Sequence, residues 1–179
     1  MYMTSKADCA PRDLLESAWK KEVREMTIIG IDPGAKGGIA FLSPDKLDAI
    51  VMPMAGKELD ISTIVNTISY FDVELAVVEK CHTRPEQGVV SSGKFMKGYG
   101  VLLGILGALK ISTMLVTPQA WKKVILAGTA KDKDAAIAYV NMKYPNFKLI
   151  LPRCRKPHDG MADAICIAEY GRGKFLNEH

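Results

Sequence analysis

Thr27-Ile-Ile-Gly-Ile-Asp-Pro-Gly-Ala-Lys-Gly-Gly-Ile-Ala-Phe-Leu42 decides how the rest of the chain is read. Ile28, Ile29 and Ile31 form an apolar, β-branched run, the pattern of a buried central strand. The run ends at Asp32. Pro33-Gly34 is a turn pair, and Gly37-Gly38 opens a second apolar run from Ile39 to Leu42. The stretch predicts a hairpin whose first strand ends in a carboxylate. Such a group is costly if buried without a partner. Asp32 therefore needs a metal, a cation or water, or it acts as an Asx-type turn residue bonding the backbone ahead of it.

Working outward, Leu47 to Met52 predicts a third strand in an antiparallel meander, and Asp60 opens a helix to about Phe71 with Ile61, Ile64, Val65 and Ile68 as its apolar stripe. Glu74 to Glu79 is a short apolar strand that again ends in a carboxylate. Cys81 to Ser92 reads as a polar loop. Phe95 to Lys110 predicts a helix that is apolar most of the way round yet carries Gly98, Gly100, Gly104 and Gly107. Each glycine costs about 1 kcal/mol relative to alanine, which makes sense where another backbone approaches, so this helix is expected to form a subunit interface. Ser112 to Val116 is a further strand, Pro118 starts a short helix, and a helix from about Asp132 ends before Pro145. The last helix runs from His158 with Gly171 as its stop. Strands first, then alternating helix and strand, predict an α/β fold with a mixed sheet.

The 179 residues suit a single domain of ordinary size over 27–179, with residues 1–26 as an appended, helix-competent extension. Apolar residues at 48% and charged residues at 25% describe a globular chain. The longest apolar run, Val101 to Leu109, is too short to span a bilayer, and Met1 to Met26 lacks a secretory h-region. Cys9, Cys81, Cys154 and Cys166 have no CxxC spacing and read as reduced thiols in a cytoplasmic protein. The net charge of +4 conceals an asymmetry: Lys94 to Lys156 holds twelve Lys or Arg against Asp132 and Asp134 alone. A segregated basic half points to a polyanion partner.

Three elements each present acid at an end: Asp32, Glu79, and the pair Asp159 and Asp163. The pair is spaced i, i+4, so both carboxylates share one helix face and repel each other. A hard cation with oxygen ligands would offset that repulsion, and Mg²⁺ is satisfied by a few carboxylates with water and phosphate. Asp159 also reads as a helix cap, and Glu79 as the partner of a lysine. Asp163, between Ala162 and Ala164 on an apolar helix, is the hardest to explain structurally.

Ile29-Gly-Ile-Asp-Pro-Gly, Val77-Val-Glu79 and Ala162-Asp-Ala-Ile-Cys-Ile-Ala168, in that order, resemble the RuvC family of Holliday-junction resolvases in the RNase H-like superfamily. The likeness covers about residues 27 to 172. It implies an RNase H-like five-stranded sheet, three antiparallel strands then parallel ones, flanked by helices. It also implies a metal-dependent endonuclease that cuts four-way junctions in pairs, leaving 5′-phosphate and 3′-hydroxyl ends, and acts as a homodimer through the Gly-rich helix. On that resemblance Asp32, Glu79, Asp159 and Asp163 would hold two Mg²⁺ ions, with Mn²⁺ as a substitute, and Lys133 would stand near the scissile phosphate, with Lys131 close by. Lys94, Lys97, Lys122, Lys123, Lys131, Arg153, Arg155 and Lys156, with His82 and Arg84 on the loop, would hold DNA. No membrane or small-molecule cofactor is expected.

The chain departs from the family pattern twice. The last two acids are usually three residues apart, whereas here Gly160 holds that place, which leaves Asp159 or His158 as the fourth metal ligand or base. His82 stands where the family often has an aromatic wedge. These changes suit a broader branched-DNA nuclease, as among virus-encoded members. A non-cleaving DNA-structure binder is a further reading. An actin-like ATPase would need a second Asp-Gly lobe that the sequence lacks.

Overall fold

The computed structural model describes residues 27–81 and 88–177. The expected extension over 1–26, and His82 and Arg84, lie outside the described residues.

The hairpin forms as its sequence predicts. β1 (Thr27–Asp32) pairs antiparallel with β2 (Gly38–Leu42), which pairs antiparallel with β3 (Leu47–Val51). The Pro33–Gly37 turn is closed by a bond from Gly37 N to the Gly34 carbonyl at 2.7 Å. A two-residue ribbon, β4 (Met54–Ala55) with β5 (Glu58–Leu59), follows; it is too short to leave a period-2 signal. β6 (Val73–Glu79) and β7 (Ser112–Val116) run parallel to β1, giving a five-stranded sheet in the order β3-β2-β1-β6-β7. This is the mixed α/β sheet that the pattern implied.

Side-chain alternation divides the core in two. Ile29, Ile31, Ala76 and Val78 face one way and pack beneath α1 (Ile61–Ser69) and α2 (Val89–Ala108). Ile28, Leu75, Val77 and Val116 face the other way and pack beneath α3 (Pro118–Ile125), α4 (Lys133–Lys143) and α5 (Asp159–Asn177). The side chains of Asp60, Thr117 and Asp132 cap α1, α3 and α4 by accepting from Thr63 N, Ala120 N and Ala135 N.

Two helix boundaries differ from expectation. α2 begins at Val89, so the loop after β6 is shorter than Cys81–Ser92; the Gly88 carbonyl already accepts from Ser92 N at 3.0 Å. α5 does not stop at Gly171 but runs on to Asn177. A Cβ at Gly171 would stand 2.3 Å from Val77 Cγ2, so this glycine serves contact with the sheet rather than termination.

α2 buries Leu102, Ile105 and Leu106 against the sheet, while Met96 is exposed. Gly100, Gly104 and Gly107 open outward, with nothing near an added Cβ among the described residues. Cys81, Cys154 and Cys166 are free thiols. Among the described residues no helix is long and apolar enough to cross a membrane.

Candidate active site: carboxylates at the ends of two parallel strands

Ile31 pairs with Val78 across β1 and β6, so Asp32 and Glu79 are the next residues along two adjoining parallel strands. Alternation puts Asp32 on the side of Ile28 and Glu79 on the side of Leu75 and Val77, the face that α5 covers. α5 can reach them because Gly30 and Gly38 leave no side chain in its path. A Cβ on Gly30 would meet the Ala164 carbonyl at 2.1 Å, and one on Gly38 the Gly160 carbonyl at 3.1 Å. The helix therefore lies directly on the strands and carries Asp163 to the two strand-end acids.

Each carboxylate is held differently. Asp32 Oδ1 accepts from Gly34 N at 3.3 Å, the Asx turn expected of its sequence. Glu79 Oε2 accepts from Trp121 Nε1 at 2.6 Å rather than pairing with a lysine. Asp159 pairs with the Lys133 ammonium. Asp163 Oδ1 is buried with no hydrogen-bond partner. Such an atom is costly to leave bare.

The electrostatics follow from this crowding. Burial, then the Asp32 charge, pushes the Asp163 carboxyl up to about 7, with Glu79 and Asp159 adding to the rise and Lys122 opposing it. Burial raises Asp32 above the ordinary carboxylate value, and the Asp159 charge adds to the rise. Glu79 is raised by burial and by Asp32, against the Trp121 hydrogen bond. Asp159 alone is held low, by its bond to Lys133. Three carboxylates thus resist ionising together, which is the signature of a site lacking positive charge.

Hard carboxylate oxygens with one bare buried acceptor suit a divalent cation such as Mg²⁺. Among the described residues no group of three or more His, Cys, Asp or Glu side chains stands arranged to hold a metal ion. The two residues in question for the fourth position behave distinctly. His158 Nδ1 accepts from Met161 N at 3.1 Å and so caps α5, the role the sequence offered to Asp159. Asp159 presents two carboxylate oxygens, Oδ2 held by the Lys133 ammonium and Oδ1 accepting from Gly160 N at 3.1 Å. Gly160, where the family usually has its acid, has no room for one: a Cβ would stand 2.2 Å from the Lys36 carbonyl.

Lys133, at the first turn of α4, reaches this cluster; its ammonium feels Asp159 first, then Asp163 and Asp32. Lys131 lies exposed in the preceding loop with φ 59°, a left-handed conformation that turns the chain into α4. Lys122 and Lys123 end α3; Lys122 sits 5.2 Å over the Trp121 ring. With Pro118 and Gln119, Lys122, Lys123 and Lys131 line a 470 Å³ hollow. Arg153, Arg155 and Lys156 are exposed on the loop before α5. Lys94 and Lys97 stand apart, on α2 across the sheet, and Lys97 is tied to Glu58 at 3.0 Å. Trp121 is the residue beside these carboxylates that the sequence reading missed. A tryptophan four positions into a Pro-started amphipathic helix reads as core, and it is fully buried, but its ring nitrogen serves the site.

Comparison of the whole fold decides the architecture. Thermus thermophilus RuvC in complex with a Holliday junction substrate superposes with a TM-score of 0.59 at 16% identity, covering 85% of this chain and 96% of that one. The chain has the RuvC fold. A second structure of Thermus thermophilus RuvC gives a TM-score of 0.55 at 18% identity, covering 86% of this chain and 96% of that one. The yeast mitochondrial Holliday junction resolvase Ydc2 gives 0.57 at 15% identity, covering 96% of this chain and 89% of that one. Neither a protein-family model nor a curated protein sequence matches the chain. The RNase H-like sheet implied by the resemblance of the three acid-bearing motifs is therefore correct, and the likeness to RuvC is one of fold.

Proposed function

We propose that this protein is a divalent-metal-dependent endonuclease that resolves four-way DNA junctions by hydrolysing one phosphodiester in each of two strands. The observation that carries the reading is the bare, buried Asp163 oxygen beside the strand-end carboxylates of Asp32 and Glu79, in a RuvC fold. Asp32, Glu79 and Asp163, completed by Asp159, are the residues that would hold Mg²⁺, two ions per site, or Mn²⁺ in its place. Bound there, divalent cations lower the pKa of water and neutralise charge on the phosphate oxygens.

The chain's own residues do the rest. Trp121 fixes the Glu79 carboxylate, so that this ligand does not turn away. Gly30 keeps α5 against β1 and holds Asp163 level with Asp32. Lys133 stands at the cluster's rim and offsets charge that grows on the scissile phosphate. Attack of water on phosphorus breaks the bond to the 3′ oxygen, giving 5′-phosphate and 3′-hydroxyl ends. Lys122, Lys123, Lys131, Arg153, Arg155 and Lys156 take the flanking phosphates, so binding weakens steeply with salt. Two symmetric nicks need two such sites. The outward face of α2 at Gly100, Gly104 and Gly107 leaves room for a second copy's backbone, which supports a homodimer.

The test is a gel assay on a labelled four-way junction, a fork and a linear duplex, each with Mg²⁺ and with EDTA. Paired, Mg²⁺-dependent nicks confined to the junction are expected. Equal cutting of the fork would make the protein a general branched-DNA nuclease. Binding without cutting in Mg²⁺ or Mn²⁺ would make it a DNA-structure binder and overturn the catalytic reading.

A further inference from the structure

Glu169 on α5 is the one buried charged side chain among the described residues, 4% exposed, and the cutting chemistry does not use it. An ion is expensive to bury, and this one is fully answered. Its Oε1 accepts from the Tyr144 hydroxyl and from Arg172 Nη2 at 2.7 Å. Its Oε2 accepts from Arg172 Nη2 at 2.9 Å and faces Lys143 Nζ at 2.8 Å. Arg172 stands one turn along α5 itself, but Lys143 and Tyr144 are the last residue and the C-cap of α4. The cluster therefore joins the far end of α4 to α5. The near end is joined too: Lys133, the first residue of α4, pairs with Asp159, the first of α5. Lys143 is ten residues past Lys133, and Glu169 is ten past Asp159. The two helices thus run parallel and in step, with an ion pair at each end, about 15 Å apart.

The two pairs are unequal. The side chains at the near end are 72% and 34% exposed, those at the far end 36% and 4%. An exposed pair holds little, because water and salt screen it; a buried one is strongly destabilising to break. Packing between the ends is thin. α4 fully buries only Ala136 and Val140, and short side chains interlock little with a facing helix. That leaves the buried cluster to fix how far α4 sits along α5. We propose that Glu169 is a positioning residue for strand cutting: by gripping Lys143 and Tyr144 it sets α4 in register on α5 and so keeps Lys133 at the carboxylate cluster. The assignment rests on the nuclease reading above and deepens it. Cutting needs Lys133 to turn from Asp159 to the phosphate, which opens the rim pair, and the buried cluster holds α4 while that pair is open.

The experiment is single-turnover cutting of a four-way junction by the full chain at saturating Mg²⁺, with Glu169→Gln and Lys133→Ala made singly and together. Glu169→Gln should lower the maximal rate about tenfold, while the junction concentration giving half that rate hardly moves, because misplacing a group beside the reacting atoms costs rate rather than binding. Lys133→Ala should be slowed about a hundredfold, and adding Glu169→Gln to it should cost nothing further. Lys143→Met should behave like Glu169→Gln, whereas Lys143→Arg keeps the cation and should cut like the wild type. Tyr144→Phe loses one hydroxyl and leaves every charge in place; it should show a smaller loss of the same kind, a readout that stands even if Glu169→Gln does not fold. Amide hydrogen exchange should quicken along α4 in these slowed clamp variants and stay slow in β1 and β6. Losses that multiply in the double variant, or α4 exchange that does not change, would overturn the positioning role and leave Glu169 to packing alone. If the wild type still cut the junction in Mg²⁺, the nuclease reading would survive that result. A wild type that cut no branched DNA in Mg²⁺ or Mn²⁺ would overturn both.

Discussion

Gly30 on β1 and Ala164 on α5 lie so close that a Cβ on Gly30 would stand 2.1 Å from the Ala164 carbonyl oxygen and 2.4 Å from Ala168 N. Both obstacles are backbone, so no rotamer change relieves them. Gly30→Ala must push the helix off the strand, and overpacking of that kind costs about 1–3 kcal/mol or more. The expected outcome is a loss of at least about 3 kcal/mol in urea unfolding, or failure to fold. A variant that folds should have its Mg²⁺ affinity reduced, because Asp163 moves with the helix. A melt within error of the wild type would show that α5 is not seated this closely.

Trp121→Phe keeps the ring in the core and removes only the donor to Glu79. Hydrogen bonds to charged groups contribute about 1.5–3 kcal/mol, and loss of a residue that orients a metal ligand typically costs ten- to a hundredfold in affinity or rate. Junction cutting should fall about tenfold or more at limiting Mg²⁺, and recover partly as Mg²⁺ is raised. Single-turnover cleavage against Mg²⁺ concentration reads both. A uniform loss at every concentration would assign Trp121 to packing alone.

The parts legible in the sequence are those set by local pattern. The β-branched run to Asp32, the second run to Glu79 and the alanine-flanked Asp163 each announce a half-buried carboxylate, and the strand register then brings the first two level. What was not legible depends on residues far apart in the chain. Trp121 meets Glu79 from 42 positions away, and Lys133 meets Asp159 from 26. No periodicity encodes either pair. Gly171 misled for a related reason: glycine after an apolar helical stretch signals a stop, but here it answers contact with Val77 on another element. His158 likewise reads from sequence as a ligand or a base, and only the position of Met161 N makes it a cap.

The raised carboxyl of Asp163 has a consequence for stability. Its ordinary value is near 3.8, and in the folded, metal-free protein it is about 7. Between those values the native state holds a proton that the unfolded chain has lost. The stability gained from that proton is present below pH 4 and is lost as pH rises through 7. Asp163→Asn removes this dependence. In EDTA the variant should therefore melt higher than the wild type at pH 7.5, with the gap closing towards pH 5. Adding Mg²⁺ at pH 7.5 should raise the wild-type melting temperature and leave the variant nearly unchanged. A gap that does not vary with pH would mean that Asp163 is already ionised and paired in the folded protein.

Asp32→Asn separates catalysis from binding. Among the described residues Asp32 accepts one bond, from Gly34 N, which an asparagine oxygen can still accept. The fold should persist, and removing one negative charge eases the crowding that raises Asp163 and Glu79. Cutting should fall below detection in Mg²⁺ because a hard cation loses a charged oxygen ligand. Junction affinity in EDTA should hold or improve slightly, since it rests on Lys122, Lys123, Lys131 and the cations of the loop before α5. In the same assay Lys123→Ala and Lys131→Ala should each lower the slope of log affinity against log salt by about 1, the loss of one phosphate contact. If Asp32→Asn lost affinity at low salt as well, its carboxylate would be positioning DNA rather than serving the chemistry, and the assignment of this cluster as the cutting site would fall.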